Sequence, residues 1–208
     1  MNKFLSYSAR ILSILLHPML MPTYAVSMLA AAYAAYQSPL PAAYTAILVA
    51  GTFILTFAIP LSVILLLIKQ GRLKDLYIEN QSERNLPYIY GIVATGTWCF
   101  FLSWILKMPA YIVASAVGAL VALLLVSIIN YKWKISAHLA SLGALIGAVA
   151  AWQYHNSVSS LWLIPTLLVL ALLLCYARLC LNQHTPWQTV CGLLLGLTCT
   201  SLTCFINL

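Results

Sequence analysis

Charge is what this chain most lacks. Only 6% of its 208 residues are charged and 63% are apolar, whereas an ordinary soluble domain is about 25% charged. A soluble globular fold is therefore excluded. Acids are scarcest of all, since Asp75, Glu79 and Glu83 are the whole complement and share one short segment. The formal charge of +7 does not indicate nucleic acid, because the ten basic residues are scattered among apolar runs and form no clustered basic face. No CxxC pair exists, and none of Cys99, Cys175, Cys180, Cys191, Cys199 and Cys204 stands in a cysteine-histidine cluster at zinc spacing. Those thiols are read as small hydrophobes packed between helices. The apolar stretch behind Lys3 and Arg10 is broken by His17-Pro18 and is followed by no small-residue cleavage site, so a removable signal peptide is not expected. No linker, repeat or low-complexity tract divides the chain, and residues 1-208 are read as one integral membrane domain.

What is present is a series of long apolar runs. A membrane-spanning helix needs roughly 20 mainly apolar residues, and seven such runs lie near 19-37, 44-68, 88-106, 110-131, 135-153, 161-178 and 187-206. The expected fold is all-α, a polytopic membrane helical bundle with about seven spans. Ahead of them, Ser6, Arg10, Ser13 and His17 fall on one helical stripe. An N-terminal interfacial helix is expected, bending at Pro18 and Pro22 into the first span; the alternative turns Arg10 and His17 toward a buried polar pocket. His17 and His155 are expected to be ordinary interfacial histidines.

Between the runs lie polar turns. Gln37 to Pro41 joins the first two spans, Lys69 to Arg84 is the most charged loop, and Lys107-Met108-Pro109 turns the third span into the fourth. Ala140, Ala144 and Gly147 in the fifth span, and Gly192 and Gly196 in the last, have the small-residue spacing that lets membrane helices approach closely. Counting crossings puts residues 1-18, 69-87, 132-138 and 178-186 on one membrane face, with Lys107 and His155 on the other. Three polar patches can therefore converge. The positive-inside rule would place that face in the cytoplasm, although basic residues retained to bind an anion would bias that count.

The converging patches contain what metal-free phosphate-ester cleavage requires: cationic clamps for the non-bridging oxygens, a nucleophile, and an acid for the leaving group. Arg178, Arg84 and Lys134 are candidate clamps, the arginines being suited to bidentate binding. Ser136 and the N-H groups at the start of the fifth span add donors. His138 and His184 are the candidates for nucleophile and general acid/base.

These residues resemble the signatures of the type 2 phosphatidic acid phosphatases, which share their core with vanadium haloperoxidases. The third signature, S-R-x5-H-x3-D, is matched by Ala177-Arg178, His184 and Gln188. The second, P-S-G-H, reads here as Ile135-Ser136-Ala137-His138. The first, K-x6-R-P, is matched less well: Arg84 is followed by Pro87, and Tyr77 stands seven positions before it.

The resemblance covers residues 69-206 and implies a six-helix phosphatase-like core. It implies that His184 attacks phosphorus to form a phosphohistidine, while His138 protonates the leaving group and then activates water. Arg178, Arg84, Ser136 and Lys134 would hold the phosphoryl oxygens. No metal and no cofactor are implied. The implied substrates are lipid phosphates or polyprenyl diphosphates, and membrane lipids are the expected surroundings. A bacterial inner (cell) membrane is the expected location, with a lumenal, periplasmic or extracellular site in most family members. The sequence leaves a homo-oligomer open.

Gln188 departs from the family carboxylate that orients the nucleophilic histidine and stabilises its positive charge. An acid-to-amide change of this kind costs about 10⁴ in rate in a serine protease triad. A glutamine carbonyl can still fix a tautomer, but it supplies no charge. Gln188 also fits a capping box, with Thr185 at the N-cap and Pro186 at the first helical position. A carboxylate from Asp75, Glu79 or Glu83 is one way to restore the missing charge. The rival to an enzyme is accordingly a carrier or regulator that binds a lipid phosphate and turns it over weakly.

Overall fold

The computed structural model describes residues 3-36, 39-76, 78, 80-158 and 161-207. Every regular element among them is helical. In chain order they are α1 (Lys3–Leu15), α2 (Met21–Tyr36), α3 (Ala42–Lys69), α4 (Ser82–Ile105), α5 (Ala110–Asn130), α6 (Ala137–His155), α7 (Leu163–Cys180) and α8 (Pro186–Asn207). Gln37 and Ser38 of the first interspan turn, and Tyr77 and Glu79 of the charged loop, lie outside the described residues.

Helices α2 to α8 occupy the seven apolar runs. Five of them, α3, α4, α5, α7 and α8, are long and apolar enough to cross a membrane. The other two differ for physical reasons. Helix α2 has only 16 residues, and α6 is lined on most of its surface by other helices, so its neighbours rather than lipid meet its polar groups. The chain is a multi-pass membrane protein.

Proline shapes two of these elements. Pro18 lies in the turn between α1 and α2, as its fixed φ and missing N-H favour. In α3 the turn Ile54–Ala58 widens to a π-helix just ahead of Pro60, relieving the clash of the proline ring with the carbonyl of the preceding turn. On that widened turn the Thr56 hydroxyl donates to the Met19 carbonyl at 3.2 Å, which ties the segment after α1 to α3.

The core runs along α6. Leu142, Leu145, Ile146 and Val149 pack with Met21 of α2 and with Leu167, Ala171 and Leu174 of α7. Helix α8 approaches α6 most intimately. A Cβ on Gly192 would come 2.5 Å from the Ser136 carbonyl oxygen, one on Gly147 would come 2.6 Å from the Leu197 carbonyl oxygen, and one on Gly196 would run into the Ala140 carbonyl oxygen. The expected small-residue stripes are therefore the two sides of one contact. Paired positions rise together along both helices, so α6 and α8 run parallel, and their N-termini emerge side by side.

Candidate active site

The spacing of Arg178 and His184 is the product of two local motifs placed back to back. Arg178 lies in the last turn of α7, where the Gln183 N-H donates to the Arg178 carbonyl at 3.1 Å and the Asn182 N-H to the Leu179 carbonyl at 2.9 Å. Asn182 takes the left-handed conformation, φ 53°. This is the Schellman pattern, with asparagine in the place that glycine usually fills. The capping box of α8 follows at once: the Thr185 N-H donates to Gln188 Oε1 at 3.0 Å, and the Gln188 N-H faces Thr185 Oγ1 at 3.4 Å. His184 stands between the two motifs, one residue before the N-cap. It is 8% exposed, as is Arg178.

The partners of His184 define its tautomer. Its Nδ1 lies 3.1 Å from the Lys134 carbonyl oxygen and 3.3 Å from Gln188 Oε1. The Gln188 atom is an oxygen because the Thr185 N-H donates to it. Both neighbours can only accept, so Nδ1 carries the proton and the neutral ring keeps its lone pair at Nε2. Gln188 thus serves the cap and the histidine at once, and the two readings of that residue hold together.

The N-terminus of α6 supplies the second side. Ser136 is the N-cap residue by backbone position, yet its hydroxyl makes no capping bond. Its Oγ is buried without a hydrogen-bond partner among the described residues. The Ser136 N-H donates to the Gln188 carbonyl at 3.1 Å, and Gly192 lies against its carbonyl, so the beginnings of α6 and α8 are clamped together. Two helix N-termini, each with the partial positive charge of its macrodipole, therefore face one region.

The loop before α4 supplies the third side. Arg84 is 9% exposed; its Nε-H donates to the Ile78 carbonyl at 3.0 Å, and its guanidinium also reaches the Tyr88 hydroxyl. The loop is tied to the end of α5 by a reciprocal pair: Asn130 Nδ2 donates to the Gln81 carbonyl at 3.0 Å, and Gln81 Nε2 donates to the Asn130 carbonyl. Glu83 accepts from Asn80 Nδ2 at 2.6 Å. Among the described residues, the charged side chains acting on His184 are Arg84, Arg178 and Lys134, so the idea of a restoring carboxylate finds no support there; Glu79 lies outside them.

The segment after α1 forms a fourth side that the sequence reading set aside. His138 Nε2 lies 3.2 Å from the Ser13 carbonyl oxygen, and the His17 ring stands edge-on to that of His138, with centroids 5.3 Å apart. The expectation that His17 is an ordinary interfacial histidine is corrected by this contact, and the alternative that turned Arg10 and His17 inward holds for His17, with Ser13 buried beside it, but not for Arg10, which is exposed. The outer face of α1 still presents Tyr7, Ile11, Ile14 and Leu15.

Arg178 is the electrostatic hub, since its charge acts on His17, His138 and His184 alike. Burial above all, and then the charges of Arg84 and Arg178, pushes the imidazole of His184 down to about 3. Burial followed by Arg178 pushes His17 down to about 4. The Lys134 carbonyl favours the charged form of His184 but does not outweigh these effects. A site of cations and neutral imidazoles, with two helix N-termini, is arranged to receive an anion.

All seven residues singled out from the sequence thus belong to one cluster or to its immediate supports. Missed were Ser13 and His17, whose stripe was visible but whose partner was not, and the Asn130 tie, which no motif announces. No curated protein and no solved structure matches the chain. The family model described as the PAP2 superfamily matches residues 115-206. That stretch contains Lys134, Ser136, His138, Arg178, His184 and Gln188, and leaves Arg84 and His17 outside it. Over this segment, which is under half of the chain, the protein is similar to the PAP2 superfamily, the type 2 phosphatidic acid phosphatases.

Proposed function

We propose that the protein hydrolyses, or transfers, the phosphate of a membrane lipid phosphate or isoprenoid diphosphate through a phosphohistidine on His184, without a metal. The observation that carries this reading is the tautomer of His184: with Nδ1-H held by two carbonyl oxygens, the Nε2 lone pair is free and neutral. Nε2 attacks phosphorus, and the bond to the lipid oxygen breaks. Binding of the phosphate anion beside it lets His138 take up a second proton from solvent, and His138 then protonates that oxygen. Since the Ser13 carbonyl keeps its Nε2 protonated, the proton given up is the one at Nδ1. In the second step His138 takes a proton from water, the hydroxide attacks phosphorus, and the P-N bond returns its electrons to Nε2. Arg178, Arg84, Lys134 and Ser136 hold the phosphoryl oxygens, and the Ser136 hydroxyl has no other partner among the described residues. A lipid substrate suits a site at the ends of helices whose flanks are apolar.

Gln188 favours a second reading, a lipid-phosphate carrier or regulator with weak turnover, because among the described residues no carboxylate acts on His184 to offset the charge it gains on attack. The deciding experiment is inorganic phosphate release by the purified protein from phosphatidic acid, phosphatidylglycerol phosphate and undecaprenyl diphosphate, comparing wild type with His184→Ala in chelator. Release that survives chelator and vanishes in the variant supports the enzyme. Silence of both proteins on every lipid, with one lipid still bound by wild type, supports the carrier.

A further inference from the structure

His17 is the third histidine at this site, and it comes from outside the segment that the family model matches. Its Nδ1 accepts the Met19 N-H at 3.3 Å. A neutral ring that accepts at Nδ1 carries its proton at Nε2, and that N-H has no partner among the described residues. It belongs to a ring in edge contact with His138 and within the field of Arg178. The helix preceding it is fastened to the same place. The Ser13 carbonyl lies in the last turn of α1, where the His17 N-H bonds to Ile14 instead; the orphaned carbonyl is taken by His138. The partial negative end of α1 thereby faces the group that becomes positive when it holds a second proton.

From this geometry we propose that His17 is a further phosphate-binding residue, donating from Nε2-H to an oxygen of the group held between Arg178 and His138, so that the end of α1 is part of the active site. The proposal rests on the phosphate-site reading above. The competing role for His17 is purely local, the capping of the Met19 N-H. Two substitutions separate them. Asparagine retains an acceptor where Nδ1 stands and loses the distal donor; glutamine retains a donor near Nε2 and gives up the Met19 bond.

The test is equilibrium binding of vanadate, a mimic of the pentacoordinate phosphoryl state, together with kcat/KM for p-nitrophenyl phosphate and the melting temperature, on the full-length protein in detergent. His17→Asn is expected to lose about 10- to 100-fold in vanadate affinity and in kcat/KM, the range for a hydrogen bond to a charged group, with an unchanged melting temperature. His17→Gln is expected to stay within several-fold of wild type. The proposal is overturned if His17→Asn matches wild type, or if the loss follows His17→Gln and comes with a lower melting temperature. Vanadate binding by wild type with His17→Asn unaffected removes this proposal alone. A wild type that neither binds vanadate nor cleaves the ester removes the phosphate-site reading as well.

Discussion

Gln188 Oε1 lies 3.3 Å from His184 Nδ1 and 3.0 Å from the Thr185 nitrogen, so one amide oxygen both caps a helix and orients the candidate nucleophile. The carboxylate of the family signature performs two tasks, orientation and charge compensation. Here the first is shared between Gln188 and the Lys134 carbonyl, and for the second no carboxylate acts on His184 among the described residues.

That division predicts the outcome of restoring the charge. Gln188→Glu keeps the length of the side chain and both acceptor contacts, and it adds the missing negative charge beside His184. Turnover should rise by about tenfold or more, a fraction of the 10⁴ that separates acid from amide in a protease triad. Gln188→Ala should lower turnover and also remove a capping contact worth about 1 kcal/mol. Phosphate release and thermal unfolding in detergent measure the two effects. Equal rates for Gln188→Glu and wild type would mean that orientation alone matters here.

The low pKa of His184 predicts a pH dependence of opposite sign to that of a salt-bridged histidine. Folded, the ring stays neutral down to about 3; unfolded, it takes a proton near 6.5. Between those values the unfolded chain binds more protons at this position, so its contribution to stability is fully present above 6.5 and is lost as pH falls toward 3. The slope is at most about 1.4 kcal/mol per pH unit. Melting temperatures at pH 7 and pH 5 should therefore converge in His184→Gln relative to wild type. An unaltered pH dependence in the variant would show that His184 is not held neutral.

What could be read from the sequence, and what could not, follows from the range of the interactions. The Arg178 to His184 spacing was legible because a Schellman turn and a capping box are built from neighbours. The small-residue stripes of α6 and α8 were legible as contact surfaces, since periodicity reports a face. Neither signal says what the face meets. Ser13 is 125 residues from His138, and a stripe shared by Ser13 and His17 fits a lipid headgroup layer as well as it fits an active site. The number of crossings is similarly underdetermined, because α6 is polar enough to fall short of a span by composition while lying at the centre of the bundle.

The parallel contact of α6 and α8 predicts a sharp contrast between two glycines. A methyl group on Gly196 would drive into the Ala140 carbonyl, whereas one on Gly91 would meet only Leu123 Cδ2 at 3.5 Å, an ordinary contact. Gly196→Ala should separate the two helix N-termini that hold His138 and His184, lowering turnover at least tenfold and reducing the melting temperature, as overpacking costing about 1-3 kcal/mol would. Gly91→Ala should be close to neutral, since helix propensity favours alanine. Similar behaviour of the two variants would refute the idea that the α6-α8 contact sets the site.

The tie between Asn130 and Gln81 predicts a coupling across the polar cleft of about 610 Å³ that both residues line. Asn130 is fully buried, and its bonds to Gln81 hold the loop from which Arg84 reaches toward His184. Cutting the tie with Asn130→Ala leaves the chemistry of His184 and His138 intact but lets the arginine wander. KM should rise by about tenfold, the equivalent of one weakened charged hydrogen bond, with kcat less affected. If Asn130 acts through Arg84, the double variant Asn130→Ala/Arg84→Ala should be no worse than Arg84→Ala alone, since residues that work as one unit are not additive. Fully additive losses would instead give Asn130 a contact of its own with the substrate, through the one oxygen, Oδ1, that no described residue satisfies.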